Sequence, residues 1–539
     1  MPKPRLYALA ALAAIVPILA CTGCSARPAV GARPHDYDAI VVGGGMGGLS
    51  AATHMAANGM HVLLLEQRYK VGGCATSFER GDFRFDAALH EMSLGGGRKK
   101  PLLIGLLEQA GVRDRVELIR IPELGRSIFP GFEFRTPAGE HEMVAAMSAR
   151  WPKEADSVRE LRDLMSQVHD EIGELRDLYL GNPIKAMLTK LALPFRQRTL
   201  FKYRMRTLEE VFDGLFEDPE IRAVASQFWS YHGPPPREQW ALIYLAAQYG
   251  YLINGAWQIK GSSQALSDAY AARITELGSV VRTGTRVTKI VVDHGQVRGV
   301  ETDAGERFFS PFVVSNADPY QTFYGLVGRD ETPRAVLRKL ERMRPSNSMA
   351  GVYLGLDVPI DHFGVRDYEI FLNASLDANE MYDNAMAGRY EQGFASISLY
   401  SNLGDPYYAP PGKSVVTVNT YSDKARWPEP GPAYDAQKRE MMDALVRMAE
   451  PVLPGLRDHI EVEVGMTPRT IESFTLNHDG VPYGWAFTPE QHARTEIPTP
   501  IDGLYLAGAW TWPAHSVGMA QVSGYFAARM ILQESGRGD

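Results

Sequence analysis

Residues 39–50 read AIVVGGGMGGLS, a short apolar run that passes directly into the spacing G-x-G-x-x-G at Gly43, Gly45 and Gly48. The apolar run is typical of a buried parallel strand, and each glycine has a mechanical role in the turn that follows. Gly43 permits a tight turn, Gly45 lets backbone approach a pyrophosphate, and Gly48 allows close packing of helix against strand. The next helix would present its N–H groups and positive dipole end to phosphates.

A second apolar run, residues 61–65, ends at Glu66, which follows the glycines by roughly 20 residues, as a dinucleotide-binding unit requires. A carboxylate here accepts hydrogen bonds from ribose hydroxyls, and an acid rather than an arginine argues against a 2′-phosphate. Glycine-rich turns alone recur without ligands. Because strand, helix, second strand and acid occur in order, the sequence predicts a dinucleotide on an α/β, Rossmann-like unit.

Composition narrows the function classes. A chain of 539 residues exceeds the usual size of one core, so two or more domains are expected. The net charge of −8 gives no reason to expect nucleic-acid binding. The body of the chain has no H-E-x-x-H, no paired C-x-x-C and no G-x-S-x-G, so neither a metal site nor a serine-hydrolase elbow is predicted.

The N-terminus is typical of an export signal. Lys3 and Arg5 precede an apolar run of about 15 residues, shorter than the roughly 20 that a membrane span needs. Residues 18–21 read ILAC and resemble a bacterial lipobox, with Cys24 as a second candidate cysteine. A cleaved secretory signal and an uncleaved anchor are the alternatives.

We therefore predict a signal and lipobox over residues 1–24 and an Ala/Pro/Gly/Arg-rich tether over 25–35. The corresponding location is that of an exported, membrane-anchored lipoprotein of a bacterial envelope. No twin-arginine pair precedes the apolar run, so a membrane-associated enzyme that faces the cytoplasm stays open.

Nucleotide-type elements occur in three blocks, which predicts a discontinuous cofactor-binding domain over residues 36–100, 250–330 and 456–539. The intervening residues 101–249 and 331–455 carry no nucleotide motif. We expect them to form an inserted α+β substrate-binding domain.

The first insertion contains an unusual basic and apolar stretch at residues 178–208. Between Asp177 and Glu209 it has no acidic residue, and its lysines and arginines alternate with apolar side chains. In an acidic protein this pattern favours an element that lies on a membrane surface. A solvated helix whose apolar face is core explains it equally well.

Four further segments carry a family resemblance: residues 66–78 (EQRYKVGGCATSF), 85–90 (FDAALH), 313–319 (VVSNADP) and 503–508 (GLYLAG), the last followed by Gly518 and Gly524. Together they resemble the FAD-dependent phytoene desaturase, carotene isomerase and retinol saturase superfamily. The resemblance covers residues 36–100, 250–320 and about 465–535. It is specific for the cofactor and the superfamily, and weaker for the reaction.

The resemblance implies FAD as the cofactor. Its Gly72-Gly73 turn would let backbone approach the pyrophosphate and ribityl chain, and the Val287 backbone would cradle the adenine. The helix near Gly518 would direct its positive end at the flavin, where negative charge develops on reduction. The residues predicted to contact FAD are Gly43, Gly45, Met46, Gly47, Gly48, Glu66, Gln67, Gly72, Gly73, Cys74, Val287, Gly508, Ala509, Gly518 and Met519.

Two positions depart from the family pattern. Cys74 stands where many relatives have arginine, which favours the carotene isomerase and retinol saturase branch. A small packing residue is its ordinary interpretation, and a redox or covalent role is the alternative. Ala509 stands where many flavoproteins have aspartate, so only its backbone N–H remains to reach the ribityl chain.

Candidate catalytic groups are His90, His478 and His515, which lie in segments that the resemblance places near the flavin. A histidine there would move protons during redox chemistry, although each also suits a pocket wall.

The leading function is that of an FAD-dependent oxidoreductase that desaturates, saturates or isomerises carbon–carbon bonds of an apolar isoprenoid, carotenoid, retinoid or lipid. Its partners would be this small-molecule substrate and a membrane surface, with no nucleic acid. The alternatives are a flavin amine oxidase-like enzyme on a polar substrate and a non-catalytic, flavin-containing lipid-binding lipoprotein. The flavin-binding residues are common to all three redox reactions and do not separate them.

Overall fold

The computed structural model describes residues 35–96, 100–179, 197–491 and 494–538. The predicted leader and almost all of the tether lie outside the described residues, as do residues 180–196 of the predicted membrane-contact segment. The described end of that segment forms a short helix, Arg198–Tyr203, in which Leu200 is buried. Within the described ranges, no helix is both long enough and apolar enough to cross a membrane.

The strands of the described residues form five sheets. They are β1 (Ala39–Val42), β2 (Val62–Leu65), β3 (Ser77–Arg80), β4 (Phe83–Asp86), β5 (Met92–Ser93), β6 (Leu118–Ile121), β7 (Glu123–Phe129), β8 (Phe132–Pro137), β9 (Ala256–Ile259), β10 (Val280–Arg282), β11 (Val287–Asp293), β12 (Gln296–Thr302), β13 (Arg307–Phe309), β14 (Val313–Ser315), β15 (Ser348–Leu356), β16 (Glu369–Asn373), β17 (Phe394–Ser398), β18 (Ser414–Ser422), β19 (Ile460–Met466) and β20 (Leu504–Leu506).

The α-helices of the same residues are α1 (Met46–Ala57), α2 (Leu102–Ala110), α3 (Glu140–Arg150), α4 (Ala155–Tyr179), α5 (Arg198–Tyr203), α6 (Leu208–Leu215), α7 (Pro219–Ser226), α8 (Ala241–Asn254), α9 (Ser262–Glu276), α10 (Arg334–Leu340), α11 (Ala378–Met386), α12 (Pro432–Ala449), α13 (Pro468–Thr475) and α14 (Val517–Glu534).

One sheet has five parallel strands in the order β10-β2-β1-β14-β20. Every residue of β1 and β2 is buried, because helices pack on one face of the sheet and strands β11 and β12 on the other, so the strands need apolar side chains on both sides. Helix α1 packs between α9 and α14. This sheet draws its strands from three distant parts of the chain, which confirms the predicted discontinuous Rossmann-like fold.

A second sheet has seven strands in the order β19-β15-β18-β17-β16-β7-β8 and is antiparallel apart from the β16–β7 pair. Helix α12 packs on β15, while α3 to α8 belong to the other predicted insertion. This α+β region agrees with the predicted inserted fold. Strand β19 lies beyond the predicted boundary at residue 455, and the exact domain limits stay a prediction.

The segment after β4 runs between the two sheets. The Tyr353 hydroxyl of β15 donates to the carbonyl of Ala87 at 2.5 Å, and the ring of Phe83 fills the space beside Gly355, where an added Cβ would lie 2.6 Å away. The residues that follow Ala87 are thereby fixed at the junction of the parallel sheet and the second sheet.

Candidate active site

A glycine loop joins β1 to α1. Gly43 has φ +95° and donates its N–H to the Leu65 carbonyl at 2.8 Å. A Cβ on Gly48 would lie 2.1 Å from the Gly43 carbonyl oxygen, so this position accepts only glycine. Helix α1 has Gly45 at its N-cap and no side-chain cap. An uncapped N-terminus of this kind suits a phosphate group.

Glu66 ends β2 beside this loop and is 7% exposed. Its Oε2 accepts the Gly44 N–H at 2.7 Å, and its Oε1 accepts the Arg68 N–H at 2.7 Å. Burial raises the pKa of Glu66 despite these two hydrogen bonds. The carboxylate thus lies at the carboxyl end of its strand, next to the phosphate-type turn. Its contact with a ribose, and the role of its neighbour Gln67, stay predictions.

Asn316 joins the glycine loop to the C-terminal part of the site, and it was not among the predicted site residues. It follows β14 directly, and its Oδ1 accepts the Gly48 N–H at 3.0 Å. A Cβ on Gly47 would lie 2.5 Å from this Oδ1, and one on Gly508 would lie 2.7 Å from it. The sequence indicated Asn316 in one way: it is a polar residue at the carboxyl end of a buried strand.

The second glycine turn lies against the first. Gly72 forms a bridge with Gly45 and donates its N–H to the Gly44 carbonyl at 2.8 Å. A Cβ on Gly73 would lie 3.2 Å from the Gly45 Cα. Two backbone turns therefore meet without side chains between them, as a close approach to a dinucleotide requires.

Cys74 and Val287 are two further predicted contacts of the cofactor, and Cys74, directly after the second glycine turn, is half-buried. Burial raises the pKa of the Cys74 thiol to about 11, so the neutral thiol predominates at ordinary pH, as expected of a packing residue. Val287 begins β11, is 7% exposed and lies opposite Thr302. Strands β11 and β12 form the predicted hairpin; the adenine contact of Val287 stays a prediction.

The C-terminal turn follows β20. Gly508 has φ +105° and donates its N–H to Ser523 Oγ at 3.2 Å, while the carbonyl of Ala509 accepts from Arg494. Ser516 caps α14 by accepting the Met519 N–H at 3.1 Å. The Met519 N–H, one of the groups at the α14 N-terminus expected to point at the flavin, is therefore already used in a hydrogen bond within the protein.

Gly518 has a packing role in the same helix. A Cβ there would lie 2.7 Å from Leu103 Cδ1 of α2. Its predicted flavin contact is untested.

The structure brings two of the three candidate histidines to one aromatic residue, Tyr231. The His90 ring lies 5.2 Å from the Tyr231 ring, and His515 Nε2 lies 3.0 Å from the Tyr231 carbonyl oxygen. His515 is 7% exposed, and burial together with the charge of Arg494 holds its pKa well below the ordinary value. His515 is therefore neutral and donates a hydrogen bond from Nε2 to the Tyr231 carbonyl. Its Nδ1 has no hydrogen-bond partner among the described residues.

His90 has the opposite electrostatics. Its Nδ1 lies 3.4 Å from Glu369 Oε2, and the Glu369 side chain is fully buried. Burial alone would lower the pKa of His90, but Glu369 reverses this effect and raises it to about 9. His90 is thus a cation at neutral pH. Glu369 was not among the predicted site residues; the sign in the sequence was an acid directly before the apolar residues 370–372 of strand β16.

His478 lies apart from this group. Its ring stacks on Tyr320 at 4.0 Å, and its backbone N–H donates to Asp318 Oδ2 at 2.9 Å. The side chain is 41% exposed. Its proposed catalytic role has no support from these contacts and stays a prediction.

Glu91 is a further acid in the group, and the sequence analysis did not select it as a site residue. It is 5% exposed, and among the described residues neither of its carboxyl oxygens forms a hydrogen bond of normal length and angle, although the Tyr231 hydroxyl is close enough to affect its pKa. Burial raises its pKa to about 8, although His90 acts in the opposite direction. Among the same residues, no set of three or more histidines, cysteines or acids is arranged to hold a metal ion.

These residues fit a dinucleotide cofactor. The cradle consists of the uncapped N-terminus of α1, the facing turns at Gly45 and Gly72, and Glu66 at the end of β2. Side chains added at its glycines would collide with neighbouring atoms of the protein. The titratable group around Tyr231 has buried polar atoms without partners, as a site for a further bound molecule requires.

Comparison with known proteins agrees with this geometry. The sequence profile described as "Flavin containing amine oxidoreductase" matches residues 46–532. The chain is 25% identical to all-trans-retinol 13,14-reductase of Danio rerio, over 88% of this chain and 82% of that protein. It is 24% identical to prolycopene isomerase 1 of an Oncidium hybrid cultivar, over 93% and 84% respectively. An oxidoreductase from Methanosarcina mazei has the same fold, with a TM-score of 0.60, 16% identity and coverage of 90% and 99%.

The match confirms the resemblance to the carotene isomerase and retinol saturase branch, and FAD is the cofactor. The three glycine turns and Glu66 are the residues suited to hold it.

Proposed function

Because the chain belongs to the flavin containing amine oxidoreductase family and is an FAD-dependent oxidoreductase, we propose that its substrate is an apolar isoprenoid of the retinoid or carotenoid class, in which it saturates, desaturates or isomerises a carbon–carbon bond. Support comes from relatives named for retinol reduction and prolycopene isomerisation, which match along most of their own length.

The observation that carries the proposal is the aromatic wall around Tyr231. Its ring lies 5.5 Å from Phe228, 6.1 Å from Phe371 and 6.1 Å from Tyr251. On the other side, His515 lies 5.0 Å from the Tyr483 ring. Such a wall favours a flat, conjugated, apolar substrate, since aromatic faces pack well against a polyene.

The charge distribution argues against an amine substrate. Arg494 is 4% exposed, and its guanidinium donates to the carbonyls of Tyr483, Trp485 and Ala509. The ion pairs of the described residues include none for Arg494. A buried, unbalanced cation near His515 would repel an ammonium group.

Bound FAD supplies the two-electron, hydride-transferring chemistry. The chain's own residues bind its phosphates through the α1 N-terminus, exclude water through the aromatic wall and carry titratable protons. His90 holds one proton beside Glu369, and Arg494 fixes the Ala509 backbone. Saturation, desaturation and isomerisation all need such groups.

An anaerobic assay tests the proposal. The holoenzyme reduced with dithionite is mixed with all-trans-retinol or with prolycopene, the oxidised holoenzyme is mixed with putrescine, and products are separated by chromatography. We expect conversion of a polyene and no effect of the amine on oxidised flavin. Bleaching of the oxidised flavin by putrescine, with both polyenes unchanged, would favour the amine oxidase alternative. A flavoprotein inert to every substrate would favour the lipid-binding alternative.

We also propose that the chain is an exported lipoprotein at a membrane surface. The lipobox-like residues 18–21 and the basic, apolar segment 178–208 support this location, and an apolar substrate would be delivered from lipid. Mass spectrometry of the mature N-terminus tests it. Lipid on Cys21 or Cys24 is expected, whereas an intact Met1 on soluble protein would contradict it.

A further inference from the structure

Three tyrosines fix the backbone that carries His90 and Glu91. The Tyr353 hydroxyl donates to the Ala87 carbonyl at 2.5 Å, the Tyr400 hydroxyl to the Leu89 carbonyl at 3.1 Å, and the Tyr368 hydroxyl to the His90 carbonyl. These tyrosines come from or adjoin β15, β16 and β17 of the second sheet. The segment is therefore held at three of its carbonyls, as a site that needs fixed geometry requires.

Within this rigid segment, Glu91 has unused hydrogen-bonding capacity. Both of its carboxyl oxygens are buried and form no hydrogen bond of normal length and angle, and the same holds for the Tyr231 hydroxyl, which is nevertheless close enough to Glu91 to affect its pKa. By contrast, Asp86 of the same segment accepts from the Ser263 backbone at 2.8 Å and from its hydroxyl at 2.6 Å. A buried acid with no partner costs free energy to keep, so it requires an explanation other than packing.

The surroundings of Glu91 keep it neutral. The groups that face it are His90 from its own segment, Glu369 of β16, Tyr231, Tyr251 and Tyr368. Glu369 already pairs with His90 and accepts from Ser398 Oγ at 2.8 Å. The negative charge of Glu369 is therefore balanced by the positive charge of His90. A second carboxylate, at Glu91, would have no cation of its own to balance it.

We propose that Glu91 is the acid that gives a proton to a carbon of the polyene substrate. This assignment rests on the proposed function. The Glu91 O–H bond breaks, and a C–H bond forms with the electron pair of the double bond. In saturation, the other carbon of the double bond receives the hydride that FAD chemistry supplies. The electrons of that hydride come from an external two-electron reductant such as dithionite. The carboxylate left behind is stabilised only in part by the His90 cation, which Glu369 already pairs, so it is basic enough to regain a proton from solvent.

The alternatives within the group are weaker. Tyr231 has a pKa raised well above its ordinary value by burial and by Glu91, and His515 is held neutral. His90 gains its charge from Glu369 and would lose that pairing with its proton. Glu91 is the member whose proton leaves without breaking an existing ion pair.

The decisive variants are Glu91→Gln, which keeps the shape, and Glu91→Asp, which keeps the acid. For the dithionite-driven reduction of all-trans-retinol, we expect Glu91→Gln to lower kcat roughly 10²- to 10⁴-fold with KM and flavin content unchanged, the usual range for a lost general acid. Glu91→Asp should recover part of the loss. Glu463→Gln, in the edge strand β19, is the matched control and should equal the wild type.

A readout without turnover separates this assignment from the proposed function. Because burial also raises the pKa of Asp86 to about 7, the readout is a difference: at neutral pH the wild-type-minus-Glu91→Gln infrared spectrum should contain a protonated-carboxyl band that the wild-type-minus-Glu463→Gln spectrum lacks. The apparent Tm gives a second check: because the folded pKa of Glu91, about 8, is raised above its unfolded value, stability should fall as pH rises from about 4.5 to 8, and less steeply in Glu91→Gln.

The possible results distinguish a failure of the Glu91 assignment from a failure of the proposed function. If the wild type reduces retinol and Glu91→Gln retains more than half of kcat, the assignment is wrong and the proposed function stands. If no polyene reacts although the carboxyl band is present, the proposed function fails, and the proton-donor role fails with it. A carboxyl band of equal intensity in the wild type and Glu91→Gln, with the same pH dependence of Tm in both, also overturns the assignment.

Discussion

At the residue scale, Asn316 has more effect on the cofactor site than its size suggests. Its side chain occupies the volume that a Cβ on Gly45, Gly47 or Gly508 would enter, so four positions depend on one another. Its Oδ1 also removes one N–H of α1, at Gly48, from the set that can bind phosphate. The residue thus sets both the shape and the polarity of the turn.

Two substitutions separate these effects. Asn316→Ala removes the acceptor for the Gly48 N–H and should cost about 1–2 kcal/mol of apoprotein stability, the range for a lost buried hydrogen bond. Asn316→Asp keeps the acceptor but adds a negative charge beside the phosphate-binding turn. We expect Asn316→Asp to keep apoprotein stability and to weaken FAD binding more than Asn316→Ala. Chemical unfolding and FAD titration measure the two quantities, and equal Kd values would contradict the electrostatic argument.

At the element scale, the contact between α1 and α14 determines where the glycine loop lies. Ser50 Oγ of α1 donates to the Gln521 carbonyl at 2.7 Å, and a Cβ on Gly524 would lie 2.1 Å from the Gly47 carbonyl oxygen. The two helices therefore approach at backbone distance. The first turn of α1 depends on this approach.

Gly524→Ala tests the contact. The added methyl group meets backbone rather than a movable side chain, so α14 has to shift away from α1. We expect a loss of stability of about 1–3 kcal/mol, as for overpacked interiors, together with weaker FAD retention. Gly105→Ala in α2 is the control: its Cβ would meet nothing within 4 Å, and the better helix propensity should stabilise by about 0.5–1 kcal/mol. Equal Tm values for both variants would contradict the packing argument.

Local sequence predicts some of these elements correctly. The turns at Gly43 and Gly72, the Glu66 strand end and the β11–β12 hairpin all follow from neighbouring residues, and the structure has them where expected. Glu369 lies 278 positions from Glu91, and only the pairing of β16 within the second sheet brings it there. Contacts of this kind depend on strand order, which no local pattern specifies.

At the scale of the whole molecule, the parallel sheet is completed by strands from three parts of the chain. Strands β1 and β2 come first, β10 and β14 follow an insertion, and β20 follows a second one. The cofactor turns lie at the carboxyl ends of β1, β14 and β20. A ligand that bridges these ends stabilises contacts between parts of the chain that are far apart in sequence.

FAD should therefore stabilise the molecule unevenly. At a free concentration of 100 times its Kd, FAD should add about 2.7 kcal/mol to the folded state. Hydrogen exchange of apoprotein and holoprotein should show added protection in residues 43–48, 313–317 and 508–519 together, since the predicted site has one ligand that contacts all three. Helix α12, which packs on the second sheet, should change little.

Gly45→Leu provides the control for that experiment, because a side chain there enters the space of Asn316 and the facing Gly72 turn. We expect this variant to show neither the added protection nor a change in Tm with FAD. Protection confined to residues 43–48 in the wild type would mean that the first turn alone binds the cofactor. Equal protection in Gly45→Leu would remove the glycine loop from the site. Joint protection of the three stretches, lost in the variant, is the outcome that a site built across the discontinuous sheet requires.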